Sequence, residues 1–530
     1  MFRHISAPIA KGTGSRRDVA ALGLICAGAI AMPWPSAKAR AGTAGSVWDV
    51  PPAAQMRTPA TIAPTTMTAA TPDAATSDSP PPPGASGGAS GGYDPDAWWG
   101  LRRYFPTSYQ SWIHQDTMTG DWGGIRSRLA AKGVDISGHY LEDSSGNPVG
   151  GKAQGVRYAH EFGIGVDINF KKLTGHDIGT LHGLITERAG LGLSSSILPA
   201  LDSVQQIFGS GETVRLTRLS LERHFTRYVD MEAGWVNTEN DFAQSTKHWG
   251  MSIYCQFQTN AICGMPQSLA MNSGYGWYPT AHPGAYLKLY PLGDERLLVS
   301  AGVYNVDNTI SNTHNGFKLG LDDSTGTYLP WQLGWHNGGT DEHGILPGNI
   351  QIGGYWDTSE VKNVVASHIA TFEPANVVLT DLPQDSIRGR YGGWVEADQM
   401  VQRDAPGSSC GTVIFGSFIW GDPRTAFAPY FATWGIIRKG TFANRPNDTV
   451  SVGGKFLVVN PKLTDYAREL QSQGQDAYKP SQENAFELNY GWRATPWATI
   501  RPGLQYLWHP GGTNRYRNAF ILDFETALVF

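Results

Sequence analysis

The sequence predicts an all-β chain, a transmembrane antiparallel β-barrel of about 16 strands preceded by a short helix. Three observations predict it. The chain closes on "NAFILDFETALVF", in which Phe520, Leu522, Phe524, Leu528 and Phe530 fall on one face and Asp523, Glu525 and Ala527 on the other. That is a period of two, and the last residue is still apolar and in register, where the end of a soluble strand frays. A closed barrel must pair its last strand with its first. The same alternation recurs along the chain in segments near ten residues, polar on one face and apolar on the other, the pattern of a barrel with a wet lumen. Finally, no apolar run of about eighteen residues follows the leader, so the mature chain is a soluble exported protein or a barrel.

Composition agrees. Charged residues make up 16% of the 530, with 64 glycines, 11% aromatics and a formal net charge of -5. A cytosolic enzyme would carry charge on about a quarter of its residues. No Lys/Arg-rich run points to nucleic acid.

Residues 1–41 read as an export signal. Arg3, Lys11, Arg16 and Arg17 precede the apolar "VAALGLICAGAIAM", with small-residue cleavage triplets at Ala37-Lys38-Ala39 and Ala39-Arg40-Ala41. Arg16-Arg17 also fits twin-arginine export, and Ile25 before Cys26 argues against lipoprotein cleavage. Residues 42–97, ending in "SPPPPGASGGASGG", are too poor in apolar residues to order themselves and read as a flexible or partly polyproline extension. Residues 98–133 form an N-terminal segment in which Ile125 to Lys132 is a two-turn helix, with Leu129 inward and Gly133 as its stop.

The barrel domain, 134–530, begins at once. In "VDISGHYL", Val134, Ile136 and Tyr140 oppose Asp135, Ser137 and His139; in "EFGIGVDINF", Phe162, Ile164, Val166 and Ile168 oppose Glu161, Asp167 and Asn169. Further strands are "TLHGLITER", "LSLERHF", "YLKLYPL", "LLVSAGVY", "NIQIGGYW", "TVIFGSFIW", "APYFATWGI" and "FELNYGW". A soluble sandwich also alternates, but its polar face would be richer in Lys and Glu and its edges better guarded. Cys255 and Cys263 are close enough to bridge a loop in an oxidising compartment. A metal site there would need further His or Cys ligands, and none lie nearby. Cys410, in "PGSSCG", reads as a free thiol in a turn.

Several segments carry a family resemblance: "TGDWGGIRSRLAAKGVDIS", "VDMEAGWVNTENDFA", "YCQFQTNAICGMPQS", "AGVYNVDN", "QIGGYW" and "RPGLQYLWHPGGTNRYRNAFILDF". From Thr119 to Phe530 the chain resembles the carbohydrate-selective porins, the OprB-like outer-membrane barrels. The resemblance implies a narrow constriction that passes glucose-like sugars across the outer membrane of Gram-negative bacteria, with the short helix at the periplasmic mouth. It implies small sugars, outer-membrane lipid and the assembly machinery as partners, the last through Phe530, because an apolar strand ending in Phe resembles the insertion signal of outer-membrane proteins. Monomer and trimer both remain open, no cofactor is expected, and the Pro-rich stretch before Tyr93 is not part of the family's common core.

A sugar path needs polar groups that replace water's hydrogen bonds and flat rings for C–H surfaces. Passage also requires that binding be weak. His182, Thr186 and Arg188 share a face of "TLHGLITER"; Arg218, Ser220, Glu222 and His224 share a face of "RLSLERHF"; Asp167 lies on the polar face of its strand. An Arg facing lipid near mid-membrane costs about 2 to 4 kcal/mol, so Arg188 and Arg218 are expected in the lumen. There they contact sugar at the constriction, or they are wall residues paired with Glu222 or Asp167. Glu187 falls on the apolar side, as a residue near an interface or a bulge would. Arg445 and Asp448 read as a turn pair, and Trp235, Trp249 and Trp394 as either sugar platforms or interface girdle.

Two other functions compete. A general or anion-preferring porin would share the fold. A secreted carbohydrate-active enzyme would need two carboxylates about 5 to 10 Å apart, and Glu161, Asp167, Glu222, Glu396 and Asp398 supply candidates by number alone. No G-x-S-x-G, H-E-x-x-H or phosphate-binding glycine loop supports another enzyme class.

Overall fold

Sixteen antiparallel strands close into one barrel in which the last strand pairs with the first. The computed structural model describes residues 108–530, except 208–210, 238–240, 244–246, 249–250, 253–255, 263–266, 277, 338–345, 375–376, 378, 380, 407 and 409. The export signal, the Pro-rich extension, Trp249, Cys255 and Cys263 therefore lie outside the described residues. Among the described residues no helix is long and apolar enough to cross a membrane.

In chain order the barrel strands are β1 (Val134–Gly151), β2 (Gly155–Asn169), β3 (Thr180–Gly190), β4 (Thr213–Thr226), β5 (Val229–Val236), β6 (His282–Leu289), β7 (Leu297–Val306) and β8 (Gly326–Asn337). They continue as β9 (Gly348–Lys362), β10 (Ser386–Arg403), β11 (Gly411–Gly421), β12 (Tyr430–Lys439), β13 (Thr449–Val458), β14 (Gln482–Thr495), β15 (Ala498–Trp508) and β16 (Arg517–Val529). Each strand segment read from the sequence lies mostly in this ring, although "YLKLYPL" and "EFGIGVDINF" run past the ends of β6 and β2 and "APYFATWGI" begins before β12.

The alternation sorts residues as expected, with apolar side chains outward and polar ones inward. Ile164, Ile185, Trp331, Ile352, Leu522 and Phe524 are outward and exposed, while Glu161, His182, Glu232, Lys288, Glu487 and Asp523 are inward and buried. Connections at the mouth opposite the chain ends are the long ones, notably 191–212, 237–281, 363–385 and 459–481, whereas β4–β5 and β14–β15 turn tightly at the other mouth. Outer-membrane barrels place long loops outside the cell and short turns in the periplasm, so the chain ends lie at the periplasmic mouth.

Two long loops fold into the lumen and are sewn to its wall by carboxylates accepting from loop backbone N–H groups. In 191–212, Asp143 Oδ2 accepts from Gln206 N at 2.6 Å and Glu483 Oε2 from Leu201 N at 2.9 Å. In 237–281, Glu487 accepts from Gln258 N at 2.8 Å and Thr259 N at 2.9 Å, and Asp357 Oδ2 accepts from Gly274 N at 2.6 Å. The loops also bond to each other, Asn260 N donating to Ser203 O at 3.1 Å. Irregular backbone at membrane depth survives only where such partners or lumen water satisfy it.

At the periplasmic mouth α1 (Tyr109–Ile113) and α2 (Ile125–Ala131) lie over the closing seam. Gly133, at φ +86°, ends α2 in the left-handed region that glycine tolerates. α2 has no fully buried residue, so it rests on the rim. Arg126 Nη2 donates to Phe530 O at 2.9 Å, Met118 N donates to Val529 O at 2.7 Å, and the rings of Trp112 and Trp497 meet with centroids 4.6 Å apart. Phe530 N donates to Gly138 O at 2.8 Å, and its ring meets Phe162 edge-on at 5.8 Å. Cys410 is a free thiol whose Sγ lies 3.4 Å from Pro446 O, and Arg445 forks onto Asp448 at 2.8 and 3.0 Å as a local turn pair.

Deleting Phe530 removes the last seam hydrogen bond and the Phe162 contact together, and should lower the yield of heat-modifiable, folded barrel in the outer membrane. Arg126→Ala, which removes one charge-assisted bond worth about 1.5 to 3 kcal/mol, should have a smaller effect. Both are read by gel mobility before and after heating, and wild-type levels of folded barrel in the deletion would contradict the seam's role.

Candidate functional site

The inner face of β1 to β6 is built by register. Glu161 on β2 stands directly opposite Arg188 on β3, and Asp167 opposite His182. Glu161 Oε2 accepts from Arg188 Nε at 2.5 Å, while its Oε1 lies 3.0 Å from His139 Nε2 and accepts from Tyr278 Oη at 2.5 Å. Tyr278 comes from the inward loop 237–281, and the Arg188 guanidinium lies over its ring, 5.2 Å from the centroid. Gly163 makes the His139 contact possible, because a Cβ there would stand 2.1 Å from His139 Cε1. Glu161 is fully buried, and breaking such a pair from one side typically costs about 3 to 5 kcal/mol.

A second cluster follows one step along the wall. His182 Nδ1 is 2.5 Å from Asp167 Oδ1 and its Nε2 is 3.0 Å from Glu222 Oε2; Tyr286 on β6 donates to Glu222 Oε1 at 2.9 Å. Beside it Arg218 contacts Glu232 Oε1 through Nη2 at 2.5 Å and Nε at 2.7 Å, and Ser220 Oγ at 3.0 Å. Arg188 and Arg218 thus pair with Glu161 and Glu232, and His182 takes Asp167 and Glu222.

A bulge changes what β4 offers. Its pairing with β3 jumps from Leu184↔Arg218 to Ile185↔Leu216, so Thr217 is the extra residue and both Thr217 and Arg218 are buried. Thr186 Oγ1 meets Thr217 Oγ1 at 2.7 Å. Beyond the bulge Arg215 turns inward and ties the loop after β7, its Nη1 and Nη2 donating to Ile310 O and Ser311 O at 2.8 and 2.6 Å.

The structure brings Asp167, His182 and Glu222 into one cluster and sets Arg188, Arg218 and Thr186 around it. His224 stands apart, with a side chain 57% exposed near the periplasmic end of β4 and its Nδ1 3.3 Å from Asp230. Glu222, His224 and Asp230 bring ligand-type atoms within 4.8 Å of one another, but Glu222 is already bonded to His182 and Tyr286. Trp394 is fully buried in the lumen-side core, and Trp235 lies beneath the loop after β7 beside Ile310 and Gly316. Glu187 does face outward, where its Oε2 lies 3.3 Å from His160 Nε2.

Sequence reading missed Glu232, Tyr278, Tyr286 and Lys288 as lumen partners. Glu232 was detectable, since "VDMEAGWV" alternates like the other strands. Tyr278 had no signal, because a loop folded into a lumen has no period.

Comparison with known proteins supports the same conclusion. The family model described as "Carbohydrate-selective porin, OprB family" matches residues 153–530. Porin B of Pseudomonas aeruginosa is 29% identical over 431 residues, 78% of this chain and 91% of that protein. The putative porin QuiX of Acinetobacter baylyi is 25% identical over 438 residues, 78% of this chain and 93% of that protein. The solved high-pH structure of Pseudomonas putida OprB superposes with a TM-score of 0.70 at 27% identity, covering 79% of this chain and 99% of that one. With a family model matching most of its length around a closed polar-lined barrel, the chain belongs to the carbohydrate-selective OprB porin family of Gram-negative outer membranes.

Proposed function

We propose that this barrel is a channel through which small carbohydrates such as glucose diffuse passively into the periplasm. Arg188, Arg218, Glu222, His182, Thr186 and Asp167 line its polar track, and His224 lies at its periplasmic mouth. The observation that carries this reading is the pairing of the inward charges. Arg188 meets Glu161, Arg218 meets Glu232, Lys288 meets Asp241, Arg390 meets Asp357, and Lys455 meets both Asp202 and Glu483. Buried carboxylates outnumber buried cations among the described residues, which disfavours an anion-selective reading, and the pairs keep donors and acceptors side by side. A sugar hydroxyl needs both. Exchanging one hydrogen bond for another gains little net energy, as passage requires.

Membership of a porin family sets aside the secreted-enzyme reading. Phe530 serves as the signal read by the outer-membrane assembly machinery, consistent with its place at the end of the closing strand.

Single-channel recording of the purified protein, with glucose and then a size-matched neutral non-sugar, tests the reading. Small current steps that glucose alone reduces are expected. Steps indifferent to glucose would make it a general porin of the same fold. Arg188→Ala and Arg218→Ala should each weaken glucose block by roughly tenfold, the scale of one charge-assisted hydrogen bond; unchanged block in both would remove them from the path. Glu161→Gln, which leaves Arg188 without its counter-charge, should move the reversal potential in a salt gradient toward anion selectivity. An unmoved potential would mean that this pair does not face the permeant.

A further inference from the structure

Inward carboxylates are matched by cations along much of the wall and fall out of balance where the ring closes. Glu161 meets Arg188, Glu232 meets Arg218, Asp357 meets Arg390, and Lys455 serves Asp202 and Glu483. At the closing seam, Asp143 on β1, Glu487 on β14 and both Asp523 and Glu525 on β16 are buried on one stretch of the inner face. Register holds them together: Asp143 is opposite Glu525, Asp523 is opposite Ser145 and Gly503, and Glu487 is opposite Gln505. The patch's one cation among the described residues is Arg501 on β15, whose Nη1 donates to Glu525 Oε1.

Hydrogen bonds are out of balance there as well. Asp143 Oδ1, Asp523 Oδ2 and Glu525 Oε2 receive none, and neither do three amide oxygens around them, Gln505 Oε1, Gln258 Oε1 and Asn489 Oδ1. Each amide is held by its other end: Gln505 Nε2 donates to Val204 O at 2.7 Å, Asn489 Nδ2 to Gln256 O at 2.8 Å, and Gln258 Nε2 to Arg501 O. Turning any of them over would set oxygen against oxygen. All six residues are 5% exposed or less, and the six oxygens are shut off from solvent. Gly503 clears the middle of the patch. It faces Asp523 on one side and Asn489 on the other, and a Cβ there would stand 3.2 Å from Asn489 Cβ and 3.5 Å from Gln258 Nε2.

We propose that this patch binds one hard divalent cation, Ca2+ by its ligand set, between the carboxylates of Asp523 and Asp143 and the amide oxygen of Gln505. Carboxylates buried in excess of their cations are costly until a further positive charge joins them. Water does not supply it, and a water donor needs about 2.7 to 3.0 Å of approach to oxygens that solvent does not reach. A bare Ca2+ sits closer, at about 2.3 to 2.6 Å, and accepts carboxylate and amide oxygens in one flexible shell. An all-oxygen set does not favour the softer transition metals. Among the described residues only Glu222, His224 and Asp230 bring three acidic or imidazole ligand atoms within 4.8 Å of one another, so at the seam amide oxygen completes what two carboxylates begin. Bound there, the cation ties β1, β15 and β16 across the closure, and through Asp143 it reaches the 191–212 loop. The site rests on the barrel alone and not on what passes through it.

The test uses the full chain, purified in detergent, freed of lipopolysaccharide, stripped with EGTA and titrated with CaCl2, with binding read by equilibrium dialysis of radioactive Ca2+. One ion per barrel is expected, and excess Ca2+ should raise by several degrees the temperature at which the folded gel band converts to the unfolded one. Asp523→Asn removes a charge and keeps the shape, and Gln505→Leu removes the oxygen and keeps the volume. Each should weaken Ca2+ binding by about tenfold, with heat-modifiable mobility showing that the variant barrel is folded. A wild-type barrel that binds no Ca2+ at millimolar concentration would overturn the site, whether or not the variants fold. Ca2+ held equally by folded wild type and both folded variants would overturn it too, by placing the ion elsewhere. Glucose block is a separate reading on the same protein, so the channel proposal stands or falls independently.

Discussion

A strand in hydrocarbon has nothing to bond its N–H and C=O groups except another strand, and the ladder between β1 and β16 is where that requirement is last met. It runs from His139↔Val529 to Gly151↔Arg517, with register shifts only near its extracellular end. Once the ring is closed, every strand has two neighbours and every side chain a fixed direction. The apolar belt and polar lumen then follow from a period of two, and the ion pairs follow from register. Glu161 meets Arg188 and Asp167 meets His182 because closure sets those residues opposite one another.

The inward charges have two uses that sequence presents as one. Asp143 and Glu487 give their oxygens to loop backbone, while Asp357 and Glu483 serve loop backbone and a wall cation together, Arg390 and Lys455 respectively, which turns 191–212 and 237–281 into fixed lumen furniture. Glu161 does both, taking Arg188 from the wall and Tyr278 from the loop. Wall and loops are therefore joined into one lumen lining.

The barrel was legible in the sequence because alternation is a local property: Phe520, Leu522 and Phe524 against Asp523 and Glu525 need no tertiary information. The inward direction of Arg188, Arg218, Glu222 and His182 was legible for the same reason. Their partners were not, because register between strands depends on bulges and turns that leave little trace in composition. The extra residue Thr217 shifts β4 by one position against β3, and nothing in "VRLTRLSLERHF" announces it. The loops were least legible, since Tyr278 and Gln258 find partners on β2 and β14, far away in sequence and without periodicity.

The N-terminal segment bears on time as well as shape. Met118 and Arg126 bond to Val529 O and Phe530 O, while α2 leads directly into β1. Those carbonyls occupy their final positions only after the last strand has found the first. The Met118 and Arg126 bonds therefore wait for closure, a seal that only a finished ring accepts.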